Sequence, residues 1–357
     1  MNDYKITKTA KSKINDVQWD NLSFGKYFSD HIFISDYENG KWNNGEILPY
    51  GPMPVEPTMC TLHYGQTIFE GLKAFHCKDG GANVFRPIMN ARRLVKSGEK
   101  VCIPPYEPEK LLEDLSALIK VDKDWIPKER GHSLYIRPLI YGSGNFLGVH
   151  PSATYRLIIM LSPVASYYKE GLNPVKIKVE SNYTRAVRGG LGAAKTAANY
   201  AASLFAGTQA QKDGYAQVLW LDGITKTFVD EVGAMNIMFL INNELVTPSL
   251  EAGTILPGIT RDSVLTIAKD KGYKVSERNV SMEEILNAYE KGDLKEVFGT
   301  GTAAVISPVG TLNYKDKDFK INDGKIGEFS QKLYDTITGI QYGELEDKFN
   351  WNYHINF

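Results

Sequence analysis

Apolar positions along this chain recur in two registers, every second residue in short runs and every third or fourth in longer ones. The two registers predict strands and helices respectively. HIFISDYENGKWN, residues 31–43, alternates on either side of Asn39 and Gly40, which predicts two short strands around a turn. SLYIRPLIYG (133–142) and TYRLIIMLSP (154–163) are rich in β-branched and aromatic residues and predict further strands. VKIKVES (175–181) alternates as a half-buried strand. YAQVLWLDGITKTFVDEV (215–232) predicts a hairpin turning at Asp222 and Gly223, and NIMFLINNELVTP (236–248) one turning at Asn242 and Asn243. Helical spacing appears in Leu111, Leu112, Leu115, Leu118 and Ile119 behind Pro108, and in the stripe Phe329, Leu333, Ile337 and Ile340. TAANYAASLFAGTQAQKDG (196–214) carries good helix formers up to Gly214. Thr260 is placed to cap RDSVLTIAKDKG, and Ser281 with Glu284 forms a capping box.

Strands and helices mix without regular βαβ alternation, so the expected class is α+β, a mixed α/β fold rather than a doubly wound sheet. At 357 residues the chain exceeds the usual size of a single core. Residues 162–174 carry two prolines and a glycine after a strand and mark an interdomain linker. The expected division is an N-terminal domain over 1–163, a linker over 164–173 and a C-terminal domain over 174–357. The net charge is −1 with 43% hydrophobic and 23% charged residues, which provides no long-range field for nucleic acid or an anionic membrane. A small-molecule partner follows by default. No stretch approaches a membrane span, and the polar, basic N-terminus lacks an apolar export segment. Three cysteines, Cys60, Cys77 and Cys102, show no metal-ligand spacing, so neither structural metal nor disulfide staples are expected. The odd count fits a reducing, cytoplasmic setting.

Candidate chemistry centres on GGLGAAKTAANY, residues 189–200. Its small residues leave room for something flat to lie against the backbone around Lys195. A desolvated lysine loses its proton readily and becomes a nucleophile suited to Schiff-base formation, although a solvated lysine at a helix start fits the same string. The glycines lack the G-x-G-x-x-G spacing of a dinucleotide site. LPGITRDSVL (256–265) sets a Pro-Gly turn before a helix, so the Ile259 and Thr260 amides point toward an anion. FGTGTAA (298–304) supplies a second glycine-threonine loop, which reads equally as an ordinary tight turn. In FRPIMNARRL (85–94), Arg86 precedes a proline, a pairing that is usually structural.

Taken in order, FRP, the lysine run, DEVGAMN, LPGIT and GTGTA closely resemble the branched-chain amino acid aminotransferases, pyridoxal-phosphate enzymes of fold type IV related to D-amino acid aminotransferase. The resemblance runs from about LSFGKYFSDH at residue 22, through HYGQTIFEGLKAF (63–75), to GTGTAAVISPVG. It implies a homodimer whose subunit has a smaller N-terminal and a larger C-terminal domain, the latter carrying the cofactor lysine, with the cofactor between the two. The implied reaction moves an amino group between leucine, isoleucine or valine and 2-oxoglutarate by a ping-pong route.

The same resemblance assigns site residues. Lys195 would form the Schiff base with pyridoxal phosphate and then act as acid and base. Glu231 would face the pyridine nitrogen and Tyr200 the ring oxygen. Arg86, the amides of Ile259 and Thr260, and Thr302 would hold the phosphate, with Arg185 close by. Thr302 and Ala303 would take the substrate's α-carboxylate through their amides, while Phe24, Tyr64, Tyr135 and Tyr167 wall the side-chain pocket. Arg137 would meet the side-chain carboxylate of glutamate. Ala234 stands where many relatives carry threonine, and Ala304 and Ser307 occupy the positions of a Cys-x-x-Cys found in mammalian members. D-Amino acid aminotransferase and aminodeoxychorismate lyase are the rival activities on this fold, and a ligand-binding protein that kept the fold without the chemistry is the non-enzymatic alternative.

Overall fold

The computed structural model describes residues 4–165 and 172–357. The chain divides into two compact units, one formed by Met1–Tyr167, Ala194–Ala197 and Gly339–Phe357, the other by Tyr168–Ala193 and Ala198–Thr338.

In the first unit, alternating runs build one mixed sheet. Strands His31–Glu38, Tyr155–Val164, Ser133–Gly142, Leu72–His76 and Ala82–Phe85 lie side by side in that order, and Asn352–Ile355 adds at the edge. Asn39 and Gly40 both have positive φ and join His31–Glu38 to Lys41–Trp42, as the sequence leads one to expect. Helices Pro87–Lys100 and Pro108–Val121 pack against one another. The second buries Leu111, Leu115, Leu118 and Ile119 in a core shared with Phe33, Leu134, Ile136 and Leu157. Each such side chain contributes about 1.5–3 kcal/mol of burial. Strands Ser133–Gly142 and Tyr155–Val164 pair along their full length, which makes the former a rigid rail for the residues on it.

In the second unit, strands Val175–Glu180, Gln217–Leu221, Val229–Val232, Met235–Ile241, Leu294–Gly301 and Val305–Tyr314 pair around a closed ring. Closure removes sheet edges and fixes side-chain direction around the ring. Asn242, at positive φ, and Asn243 form the expected two-residue turn between Met235–Ile241 and Glu244–Thr247. Of the expected stripe on helix Glu328–Gln341, Phe329, Leu333 and Ile337 are buried in this unit, and Ile340, also buried, is counted with the first.

Four expectations need correction. The turn after Leu221 is not a tight Asp-Gly pair: the next strand begins at Val229, and the Asp222 carboxylate accepts bonds from the Thr225, Thr227 and Phe228 amides across the intervening loop. Thr260 is not a cap; the helix starts at Ile259 with Gly258 as its N-cap, and the Asp262 amide bonds Gly258 O at 3.0 Å. Ser281 accepts from the Glu284 amide, but the Glu284 carboxylate turns to Arg278 rather than back to Ser281, so only half the capping box forms. The domain boundary also differs. The Lys195 segment and the C-terminal strand group with the first unit, because Thr196 bridges Ile68 and Asn352–Ile355 pairs with Ala82–Phe85. More of the chain therefore lies in the first unit, the reverse of the expected small N-terminal domain. The expected linker over 164–173 falls largely on residues 166–171, outside the described residues.

Candidate active site

In the first unit, Lys195 is held by its backbone as an extra rung on the short strand Thr67–Phe69. The Phe69 amide donates to Lys195 O at 3.1 Å, Thr196 Oγ1 donates to Thr67 O at 2.7 Å, and the Lys195 amide donates to Ser97 Oγ at 2.9 Å. Its Nζ lies 4.8 Å from the centroid of the Phe69 ring. Burial, the Arg93 cation and Arg137 push the amine down to about 8, against the opposing influence of the Glu70 carboxylate and, to a lesser degree, Tyr135. An amine at that value keeps about a quarter of its population neutral at pH 7.5, where an ordinary lysine keeps almost none, and that fraction is what a nucleophile and base needs.

Glu70 and Arg93, which sequence reading missed, form a fully buried pair. Arg93 Nε and Nη2 donate to Glu70 Oε1 and Oε2, both at 2.8 Å, and Asn90 Nδ2 donates to Oε2 at 2.8 Å. Burial would push the Glu70 carboxyl up, but the Arg93 charge and hydrogen bonds, Lys195 and Asn90 hold it below the ordinary glutamate range. The available signal was spacing: Asn90 and Arg93 sit one turn apart on the helix opened by Pro87, and so reach the same partner.

Strand alternation puts Tyr135 and Arg137 on one face of Ser133–Gly142. Arg137 Nη2 donates to Tyr135 Oη at 2.8 Å, and its guanidinium lies 4.7 Å from the Phe69 centroid. Arg137 Nε is buried without a hydrogen-bond partner among the described residues. Phe24 meets Tyr135 edge-on with centroids 4.8 Å apart. The structure thus brings together Phe24, Tyr135, Arg137 and Lys195. Tyr64 ends the helix Cys60–Tyr64, exposed beside His63, and Tyr167 lies outside the described residues. Arg86 takes a left-handed conformation as N-cap of Pro87–Lys100, and its guanidinium stacks 4.9 Å from the Trp351 ring.

In the second unit, Gly233 and Ala234 form a two-residue turn that sets Glu231 opposite Asn236 on adjacent strands. Asn236 Nδ2 donates to Glu231 Oε1 at 3.0 Å and to Leu256 O at 2.9 Å. Arg185 Nη2 lies 2.9 Å from Glu231 Oε2 and also bonds Thr254 O. Arg185 is thus paired with the carboxylate rather than standing apart as an anion clamp. Part of the glycine run has a structural cause as well: a Cβ on Gly192 would lie 2.2 Å from Thr254 O, so close backbone contact requires glycine there. Ile259 and Thr260 open a helix without a side-chain cap, which leaves first-turn N–H groups available to an anion. Thr302 and Ala303 occupy the half-buried turn between Leu294–Gly301 and Val305–Tyr314, and the neighbouring Thr300 Oγ1 is buried without a partner among the described residues. Tyr200 sits half-buried in the first turn of helix Ala197–Lys212.

Comparison with known proteins agrees with a transaminase class. Residues 67–312 match the family described as Amino-transferase class IV. The chain is 52% identical over 352 residues to Branched-chain-amino-acid aminotransferase 2 of Bacillus subtilis (98% of this chain, 96% of the relative), and 43% identical over 356 residues to the branched-chain-amino-acid aminotransferase of Mycolicibacterium smegmatis (98% and 96%). The crystal structure of the Escherichia coli branched-chain amino acid aminotransferase superposes with a TM-score of 0.77 at 29% identity, covering 92% of this chain and 99% of that one. The T.th. branched-chain amino acid aminotransferase with pyridoxamine 5'-phosphate gives 0.76 at 26% identity, covering 91% and 98%. The chain belongs to the class IV aminotransferases, and its mixed α/β architecture is the one those structures share.

Proposed function

We propose that this protein transfers the amino group between branched-chain L-amino acids and 2-oxoglutarate with pyridoxal 5'-phosphate as cofactor. The observation that carries the reading is the Lys195 amine, lowered to about 8 beside an aromatic wall that ends in a guanidinium. The residues present fit the cofactor on chemical grounds. A neutral amine suits its aldehyde, the uncapped first turn at Ile259 and Thr260 suits its phosphate, and the unpartnered Thr300 hydroxyl adds a donor beside Thr302. When bound, pyridoxal phosphate supplies an aldehyde that bonds an amine and a ring that takes up electrons as the substrate's Cα–H bond breaks.

Lys195 Nζ is the group that bonds the cofactor. When free of the cofactor, the same Nζ takes the proton from the substrate's Cα and hands it to the cofactor carbon that comes to carry the amino group, not back to Cα, as conversion of an amino acid into an oxo acid requires. A pKa near 8 matches both directions of that transfer at neutral pH. Glu70 keeps Arg93 compensated, so the amine faces a buried ion pair rather than a bare cation. Glu231, fixed by Asn236 and Arg185, supplies the fixed negative charge for the pyridine nitrogen, and Tyr200 the hydroxyl for the ring oxygen. Arg86 joins the phosphate anchors, and the amides of Thr302 and Ala303 hold the α-carboxylate. Phe24 and Tyr135 shape the apolar end of the site. Leucine, isoleucine and valine gain about 0.8 kcal/mol per methylene buried there. Arg137, whose Nε has no partner among the described residues, receives the longer carboxylate of glutamate.

We further propose a cytoplasmic homodimer. Among the described residues no helix is long and apolar enough to cross a membrane. Exposed Val55, Leu62, Tyr64, Leu147 and Val149 lie on two segments tied by the Met59–Asn145 bridge, an apolar surface of the kind a second copy covers. A paired assay of L- and D-amino acid donors with 2-oxoglutarate tests the activity. Turnover with L-leucine, L-isoleucine and L-valine but not with D-alanine is expected. Preferential turnover of D-donors, or none with any donor, would overturn the reading.

A further inference from the structure

The hairpin Leu72–His76 to Ala82–Phe85 and the C-terminal strand Asn352–Ile355 bring three unlike donors together, two of them two residues apart in the hairpin turn and the third far away in sequence. Cys77 follows the first strand, Asp79 lies in the turn, and His354 stands opposite Asn83 on the added strand. The Cys77 sulfur, an Asp79 carboxylate oxygen and a His354 ring nitrogen all lie within 4.8 Å of one another. We propose that these residues form a binding site for a divalent first-row transition metal, zinc above all, which clasps the C-terminal strand to the hairpin.

The orientation of each donor supports this. His354 Nδ1 is 2.8 Å from Asn83 Oδ1, an acceptor, so Nδ1 carries the hydrogen and Nε2 presents its lone pair outward. That is the arrangement a metal-ligating histidine commonly has, with its second nitrogen tied to a fixed oxygen. Nε2 lies 3.3 Å from Asp79 Oδ2, close to the separation of two donors sharing a tetrahedral zinc, roughly 3.5 Å. The other Asp79 oxygen accepts from the Gly81 amide at 2.9 Å, which turns Oδ2 toward the histidine. Gly81 makes the approach feasible, because a Cβ there would lie 2.7 Å from His354 Nε2. Cys77 is buried while Asp79 and His354 reach the surface, so sulfur closes the inner side and water completes the fourth position.

A sulfur, imidazole and carboxylate set favours zinc over magnesium or calcium, which take all-oxygen shells. Cysteine spacing gives no sign of the site because two of the three donors are not cysteines. A metal bound here joins residues 77 and 354, so its binding free energy adds to the hold on the C-terminal strand.

The test uses the full-length holoenzyme carrying Cys102→Ser, which removes the exposed thiol. Titration with cobalt(II) should give a near-ultraviolet sulfur-to-cobalt charge-transfer band saturating at one metal per chain, and zinc should abolish it. Cys77→Ser should remove the band. His354→Gln should weaken cobalt binding at least tenfold and abolish the rise in melting temperature that zinc gives the parent, while both variants keep transaminase activity as evidence of folding. If Cys77→Ser does not fold, His354→Gln and Asp79→Asn decide the matter by the same readouts. Absence of the band in the parent, or binding unchanged in the His354 and Asp79 variants, would overturn the proposal.

Discussion

The surroundings of Lys195 and of Glu231 are both buried and charged, yet they are built on opposite principles. Around Glu231 the carboxylate is fully answered: Arg185 takes one oxygen, Asn236 and the Leu256 amide take the other, and Glu231 and Asn236 sit opposite each other on adjacent strands of a closed ring. Around Lys195 the balance is left uneven. The amine has aromatic carbon on one side, and two guanidiniums act on it against one carboxylate, so its affinity for a proton drops. A balanced pair holds a charge in place, whereas an amine whose surroundings favour its neutral form can trade a proton. Under the proposed function, that contrast is what separates the residue assigned to react from the residue assigned to sustain it.

Lys195→Ala should break the comparison most completely, with transamination falling by on the order of 10⁴-fold, because nucleophile and base are lost together. Single-turnover assays measure it. Glu231→Gln should come next. It strands the Arg185 guanidinium in a buried position and should cost about 3–5 kcal/mol of stability along with turnover, read by denaturant unfolding and half-reaction rates. A variant as stable as the parent would show that the pair is not balanced as described.

Glu70→Gln sharpens the other side. Its carboxylate raises the Lys195 pKa, and its loss also leaves Arg93 uncompensated, so both effects favour the neutral amine. The midpoint for competitive acylation of Lys195 in the cofactor-free protein, near pH 8 in the parent, should therefore move to lower pH. A move upward would contradict the assigned signs. Arg137→Ala should raise KM for glutamate roughly 10- to 100-fold, the worth of one charge-assisted bond, and change that for leucine little. Tyr135→Phe should give the smallest effect, a few-fold rise in the glutamate KM, because it removes only the hydroxyl that steadies Arg137 at 2.8 Å.

What the sequence revealed was local. The turns at Asn39-Gly40 and Asn242-Asn243, the helix behind Pro108 and the stripe from Phe329 to Ile340 each follow from residues within one element. The candidate lysine, the DEVGAMN carboxylate and the two candidate loops at LPGIT and GTGTA were legible because motif strings carry them. Glu70 and Arg93 were not: each is an ordinary charged residue in sequence, and only the packing of the Pro87–Lys100 helix makes them a buried pair. The grouping of Lys195 with the first unit was hidden for the same reason, since its bonds run to Thr67, Phe69 and Ser97, far earlier in the chain.

The claim that Lys195 is the reacting residue has a direct competitor within the chain. Lys73 is also buried, and burial alone lowers it to about 8. Borohydride reduction of the holoenzyme followed by peptide mapping distinguishes the two. The account predicts that the cofactor is fixed to Lys195 alone, in stoichiometric yield; fixation to Lys73, or to any other lysine with Lys195 unmodified, would contradict it.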